Sequence, residues 1–357
     1  MRRFISLACV VVLPLLVLDA GCGQPAPPAQ PAPPPAGLNP DLLASYKPLP
    51  ESVPAAAGSA SAEQVKLGRM LFYEPHLSKS QKISCNSCHD LATFGVDNQP
   101  TSDGHKGKLG DRNSPTVFNA AGHVAQFWDG RAADVEAQAK GPVLNPAEMA
   151  MPDESRAVAV LASMPEYVDA FARAFPGEKP SITFDNMAKA IGAFERGLMT
   201  PSRWDALLKG DRNALSQDEQ LGFQTFLNLG CAACHEGTLF GGKSYQRLGV
   251  AKAFMRSNDP GRMNVTHAPG DRFVFKVPSL RNVEKTGPYF HDGGTKTLGQ
   301  AVRDMGEYQL GQKLTDQQVK DITSFLKALT GTVDQEYIKP PVLPKSTSRT
   351  PKADERD

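Results

Sequence analysis

The sequence predicts a mainly α-helical protein of two similar domains, with short or no strands and long loops between the helices. Three observations support this: a C-x-x-C-H motif occurs twice, a similar helical phrase precedes each copy, and a similar amphipathic helix closes each half. The chain has 357 residues, 40% of them hydrophobic, which is enough for two cores. The net charge of +1, without a long Lys/Arg run, argues against a nucleic-acid-binding protein.

The chain begins with an export signal. Two arginines precede an apolar run over residues 4–18, which is short for a membrane span and typical of a secretory signal. We therefore expect residues 1–22 to be a signal peptide and the protein to reach the periplasm. The stretch LDAGC resembles a lipoprotein cleavage site that leaves Cys22 for lipid, the one form of membrane attachment we expect. Asp19 departs from that pattern, so cleavage nearby without lipid is the alternative.

The remaining chain divides into four segments. Residues 23–50 are rich in Pro and Ala, a composition that favours an extended tether. Two helical domains are expected at 51–200 and 201–332, with Pro201 at the boundary. Residues 333–357 are expected to form a C-terminal extension that ends in a disordered polar tail.

The four cysteines beyond the signal all belong to C-x-x-C-H motifs. These are Cys85, Cys88 and His89 in the first half, and Cys231, Cys234 and His235 in the second. Disulfides are an alternative in an exported protein, but they give no reason for the histidines. A four-cysteine zinc site usually has its two pairs much closer in sequence. Attachment of haem c explains every residue, because the thiols bond the vinyl groups and the histidine coordinates iron. The sequence therefore predicts two covalently bound haem c groups in two cytochrome c-like domains.

A helical phrase before each motif supports this repeat. LGRMLF at residues 67–72 and LGFQTF at 221–226 share Leu, Gly and Phe at the same relative positions. Ser216 and Glu219 predict a capping box at the start of the second phrase.

Each half closes on a related amphipathic helix. IGAFERGL at residues 191–198 and ITSFLKAL at 322–329 share Ile, Phe and Leu at i, i+3 and i+7, which lie on one helical face. Thr315 is expected to cap the second helix and Gly331 to stop it. We expect the shared apolar face to form the core that packs on the haem.

The ligand on the other side of each iron determines function, because an iron with two strong side-chain ligands only transfers electrons. In the second half Met255, Met263 and Met305 are candidates, and Met305 follows its motif at an interval typical of Met-ligated cytochromes. A methionine that fills the core is the alternative. In the first half His105 lies in a Gly- and Asp-rich loop, where a histidine that ligates and then leaves would make that haem switchable; an ordinary surface histidine is the alternative.

Residues 118–149 contain one of the two tryptophans, Trp128, and a Pro-bounded turn with Glu148. A carboxyl group near a haem iron is able to move protons during O–O bond cleavage. A surface carboxylate is the alternative for Glu148.

Several motifs together resemble the bacterial dihaem cytochrome c peroxidases over roughly residues 55–335: SCNSCH, RNSPTVFNA, QFWDGR, QAKGP, PAEM, CAACH, FKVPSLRNVEKTGPYFHDG and AVRDMGEYQLG. The resemblance implies that the first motif holds a low-potential peroxidatic haem, with His105 as its displaceable distal ligand. The second motif would hold a high-potential haem with Met305 as its distal ligand.

The same resemblance implies roles for other residues. Glu148 would be the acid/base of the catalytic pocket and Gln138 its hydrogen-bonding partner, with Phe127 nearby. Trp128 would be an electron-transfer bridge between the haems. A calcium ion would be held by the Asn113 side chain, the backbone carbonyls of Thr286 and Pro288, and water, ligands that suit a hard cation.

The implied reaction is reduction of hydrogen peroxide to two waters, with electrons from a small exported cytochrome c or cupredoxin. The resemblance also implies a homodimer. The nearest alternative is a dihaem enzyme that modifies tryptophan residues of a partner during maturation. Such enzymes carry tyrosine at the position of Met305, although Tyr308 lies three residues on. The other alternative, a non-catalytic electron-transfer or redox-sensing cytochrome, leaves Gln138 and Glu148 without a role.

Overall fold

The computed structural model describes residues 38–56 and 58–355. The predicted signal peptide and the start of the tether lie outside the described residues. Within them the α-helices are α1 (Pro40–Leu43), α2 (Ala62–Phe72), α3 (Cys85–Cys88), α4 (Val135–Leu144), α5 (Glu154–Ala162), α6 (Pro165–Ala174), α7 (Phe184–Glu195), α8 (Arg203–Leu208), α9 (Gln217–Asn228), α10 (Met263–Thr266), α11 (Leu298–Tyr308) and α12 (Asp316–Ala328). Two strands, β1 (Tyr245–Arg247) and β2 (Val274–Lys276), pair antiparallel with Tyr245 opposite Lys276. The mainly α-helical class is confirmed.

The two halves repeat one helix pair, in which α2 packs on α7 and α9 packs on α12. The glycine shared by the two helical phrases lies at each crossing. A Cβ atom on Gly68 would overlap the Ala190 carbonyl, and one on Gly222 would overlap the Asp321 carbonyl. Only glycine allows the two backbones to approach this closely. The repeat in the sequence therefore records one packing geometry used twice.

Side-chain caps fix the starts of the second helix pair. The Ser216 hydroxyl accepts from the Glu219 backbone N–H, and the Glu219 carboxylate accepts from the Ser216 N–H at 2.8 Å. Thr315 caps α12 in the same way with Gln318. Both predicted caps are confirmed. In the first half the closing helix ends earlier than the apolar pattern, at Glu195, although Leu198 is still buried beyond it.

Each half has its own hydrophobic core. The first contains buried residues from Leu67 to Leu198, together with Ile338 from the C-terminal extension. The second contains residues from Trp204 to Leu329, together with Tyr46. The change between cores falls beside Pro201, and the domain bounds given above stay predictions.

The segments at both ends differ from the expected tether and disordered tail over their described parts. Tyr46 is only 6% exposed and its ring stacks on Phe240 at 4.7 Å between centroids. At the other end, the Thr350 and Ser163 hydroxyls are 2.8 Å apart, and the Asp354 N–H donates to the Lys79 carbonyl. Composition predicted no order here because few apolar side chains are available. Tyr46 nevertheless packs in the second core, and polar groups of the first domain bond the tail. No described helix has the length and apolar character that a membrane crossing requires.

Candidate active site

The first C-x-x-C-H motif faces a cavity of about 580 Å³. Cys85 and Cys88 begin and end α3, and His89 follows it, so one turn of helix places two thiols and an imidazole on the same wall. Burial lowers the pKa of His89, which keeps the ring neutral and able to coordinate iron. Burial also raises the pKa of the Cys88 thiol to about 11.

The second motif faces a separate cavity of about 360 Å³. His235 Nδ1 lies 3.1 Å from the Phe240 carbonyl oxygen, to which it donates, and this leaves Nε2 with the lone pair that an iron ligand needs. Cys231 and Cys234 line this cavity and are free thiols, as are the cysteines of the first motif. Because the cysteine pairs lie in different cavities, they form neither one zinc site nor a disulfide between motifs. The residues present in each cavity fit a haem c, because each provides two thiols for the vinyl groups and one imidazole for the iron.

One of the three candidate methionines lines the second cavity, namely Met305 on α11. Met255 is 82% exposed, and Met263 begins α10 without contributing to the lining. Tyr308, one turn after Met305, packs edge-on against Phe254 with 5.1 Å between ring centroids. Met305 therefore lines the cavity, and Tyr308, the tyrosine considered for the tryptophan-modifying alternative, does not. Ligation of the iron by Met305 stays a prediction.

The three residues expected in the catalytic pocket, Phe127, Gln138 and Glu148, all line the first cavity. Burial raises the pKa of Glu148, and the Asn145 side-chain amide opposes this by donating to its Oε1 atom at 2.7 Å. The guanidinium of Arg131 lies over the Phe127 ring, 3.5 Å from its centroid, and also favours ionised Glu148. A carboxyl group whose pKa is raised by burial in a cavity is suited to accept and return a proton.

His105 lies beside this pocket but is not among the side chains that line it. It is 2% exposed, and neither ring nitrogen has a hydrogen-bond partner. Its backbone N–H donates to the Glu148 carbonyl at 2.7 Å. A Cβ on Gly104 would overlap the Ala147 carbonyl, so the histidine loop and the Glu148 turn are in close backbone contact. The ligand role of His105 stays a prediction.

Trp128 lines both cavities. Its indole N–H donates to the Asn113 carbonyl at 2.8 Å, and its own carbonyl accepts from the Lys276 N–H at 2.8 Å. The first bond holds the ring and the second holds the backbone, from the two halves of the protein. The role of Trp128 as an electron bridge stays a prediction.

The residues expected to bind calcium come from two segments that meet. The Asn113 N–H donates to the His291 carbonyl at 2.8 Å, and its side-chain amide donates to the Gln99 carbonyl at 2.9 Å. Pro288 and Thr286 precede His291 closely in the chain and are partly buried. Asn113 therefore lies near this segment, and calcium binding stays a prediction.

Two charged residues in the cavities were missed by the sequence analysis. Glu195 lines the first cavity at 4% exposure, and burial raises its pKa to about 8. Lys276 lines the second cavity, and burial lowers its pKa to about 8. A signal existed for both, because Glu195 lies on the apolar face at i+4 from Ile191 and Lys276 interrupts the apolar run VFKVP.

Comparisons with known proteins agree with this geometry. A family model described as di-haem cytochrome c peroxidase matches residues 62–213, and one described as cytochrome c matches residues 220–330. The chain is 50% identical to the cytochrome c551 peroxidase of Nitrosomonas europaea over 82% of this chain and 87% of that protein. It is 46% identical to the cytochrome c551 peroxidase of Pseudomonas aeruginosa over 88% and 92%.

Among solved structures, a MauG-like protein associated with microbial copper homeostasis aligns with a TM-score of 0.72 and 26% identity, over 82% of this chain and 98% of that one. The two family models together match both halves of the chain. The chain belongs to the di-haem cytochrome c peroxidase family.

Proposed function

We propose that the protein reduces hydrogen peroxide in the first cavity and draws electrons through the second. The observation that carries this proposal is the difference between the cavities. The first brings Glu148, Gln138 and Phe127 together beside a haem attachment motif, whereas Met305 and mainly apolar side chains line the second. Peroxidase activity agrees with the names of the relatives in Nitrosomonas and Pseudomonas.

Overall, one hydrogen peroxide, two electrons and two protons give two waters. The haem groups, when bound, supply the iron and the redox chemistry. Glu148 would accept a proton from one peroxide oxygen and return it to the other oxygen, which leaves as water. Asn145 holds one carboxyl oxygen at 2.7 Å, so the other oxygen is the one that exchanges the proton. Gln138 hydrogen-bonds the peroxide, and Phe127, held under Arg131, closes the apolar side of the pocket.

The second cavity serves as the electron store in this proposal. A thioether ligand from Met305 would raise the reduction potential of the haem there. Trp128 carries electrons from that cavity to the first, and the proposal is supported by its presence in the lining of both.

His105 is proposed to control access to the first iron. Its loop shares the 2.7 Å backbone hydrogen bond with Glu148, so movement of the loop and placement of the acid/base group are mechanically linked. In the resting oxidised protein His105 would ligate the iron, and reduction of the second haem with calcium bound at Asn113, Thr286 and Pro288 would release it.

The surroundings of the enzyme are part of the proposal. The predicted signal over residues 1–22 supports a periplasmic enzyme that takes electrons from a small exported cytochrome c or cupredoxin, with Cys22 as a lipid anchor. By family resemblance the active unit is a homodimer.

The proposal is tested on the calcium-loaded holoprotein reduced by one electron. We expect peroxide turnover with a reduced small cytochrome c, and loss of the six-coordinate signal of the first haem in electron paramagnetic resonance. A first haem that stays six-coordinate would refute the release of His105. Absence of turnover in protein with two haems per chain would refute the peroxidase function itself.

A further inference from the structure

Two basic side chains meet beside the second cavity with no acid between them. Lys276 Nζ lies 3.2 Å from His123 Nδ1, to which the ammonium group donates a hydrogen bond. Lys276 is 7% exposed, and the His123 Nε2 atom is buried without a hydrogen-bond partner. A lysine ammonium is among the groups least often buried without a carboxylate partner.

Both side chains are held in place from more than one side. Lys276 ends β2, and its backbone N–H donates to the Trp128 carbonyl at 2.8 Å. The backbone N–H of His123 donates to the Ala120 carbonyl at 2.9 Å. A Cβ atom on Gly242 would overlap the His123 ring, so the imidazole fills the space that this glycine leaves. The pair is built into the fold and is not a chance encounter of flexible side chains.

The charges around the pair favour an anion. Buried Arg281 differs from this pair, because it has a carboxylate partner in Asp205 at 2.6 Å. By contrast, the charged side chains that line the second cavity are Arg247 and Lys276, and that lining contains no Asp or Glu. Lys243, which is exposed nearby, adds to the positive potential and helps to lower the pKa of His123, after burial and Lys276.

A haem c brings two propionate carboxylates into the cavity that holds Cys231 and Cys234. We propose that Lys276, supported by His123, binds one propionate of the second haem and thereby positions that haem beside Trp128. Lys276 is a positioning residue in this account, because its charge acts on the redox couple through the propionate. Binding requires only the attached haem, and only its consequence for turnover rests on the proposed function.

The pair has a predictable effect on reduction potential. A lysine charge that neutralises a propionate disfavours the additional positive charge of the ferric state, and removal of the lysine leaves the propionate charge uncompensated. We expect Lys276→Gln to change the ferric-to-ferrous ratio of the second haem about tenfold toward ferric, which is about 59 mV for a one-electron couple. The first haem should keep its potential.

The experiment is a spectroelectrochemical titration of the holoproteins, with haem content measured first. Lys243→Gln is the matched control, since it removes an exposed positive charge close to His123 without altering the cavity lining. His123→Gln should shift the second haem in the same direction by a smaller amount, and it serves as the test if Lys276→Gln fails to retain haem. Resonance Raman propionate bands of the second haem should shift in Lys276→Gln.

Three results would overturn the proposal: an unchanged second potential in both variants of the pair, a shift no larger than that of Lys243→Gln, or unchanged propionate bands. None of these readouts depends on where peroxide reacts. Failure of the peroxidase function therefore leaves the propionate test intact, and failure of the propionate test leaves the peroxidase function intact.

Discussion

Replacement of Glu148 by glutamine isolates its proton-transfer role. The amide has nearly the same volume as the carboxyl group, and its carbonyl oxygen still accepts from Asn145, which lies 2.7 Å from the present Oε1. Packing against the first cavity should therefore be retained, and the change removes only the ability to accept and return a proton. Positioned acid/base groups contribute about 10² to 10⁴ in rate. We expect kcat/KM to fall by that factor, or about 3 to 5 kcal/mol in activation free energy.

The assay is steady-state peroxide turnover with a reduced small cytochrome c, normalised to two haems per chain. Burial places the pKa of Glu148 above its ordinary value of 4.5, so wild-type activity should fall as pH decreases through this raised value, because the protonated acid no longer accepts a proton. That acidic limb should be absent from Glu148→Gln. Glu166→Gln, at an exposed position on α6, is the control. Turnover of Glu148→Gln within about threefold of wild type would refute the acid/base role, given the magnitude expected.

Three further predictions concern stability. Asp205→Ala strips Arg281 of its buried carboxylate partner and should lower the free energy of unfolding by about 3 to 5 kcal/mol in urea titrations; a loss below about 1 kcal/mol would contradict this. The hydrogen bond to Glu74 raises the pKa of His76, so the stabilisation of the folded state by this pair is present below pH 6.5 and is lost as pH rises through the raised pKa. His76→Gln should therefore lower the free energy of unfolding by about 1 kcal/mol at acidic pH and by less at alkaline pH. A pH-independent effect would be inconsistent with this linkage. Burial raises the pKa of Glu195 to about 8, so the folded state retains a proton that the unfolded state loses, and stability declines from pH 4.5 to about 8. Glu195→Gln should flatten this decline when the thermal unfolding temperature is measured against pH. An unchanged pH profile would argue against this role of Glu195.

Much of the fold was predictable because its determinants are local. The capping pair of Ser216 and Glu219 lies within one turn, and the haem attachment motif is complete within five residues. The glycine common to both helical phrases was visible as a repeat, although its reason, the close crossing of Gly68 over Ala190, needed the second helix to be in place.

The parts that escaped prediction depend on contacts between distant segments. Glu195 and Lys276 interrupt apolar patterns, but only the folded chain shows that each side chain lines a cavity. Order in the tail arises from the first domain, since Thr350 finds its partner in Ser163. The burial of His105 was likewise beyond sequence reasoning, because its contact with the Glu148 turn joins segments about 40 residues apart in the chain.

The most direct test of the account is rapid mixing of half-reduced, calcium-loaded holoprotein with hydrogen peroxide, while the absorbance of the ferrous second haem is followed. In wild type this haem should lose its electron at the same rate as peroxide disappears. In Glu148→Gln it should lose the electron at least about 100-fold more slowly. Peroxide loss while the second haem stays ferrous would contradict the account, as would equally fast oxidation of that haem in Glu148→Gln.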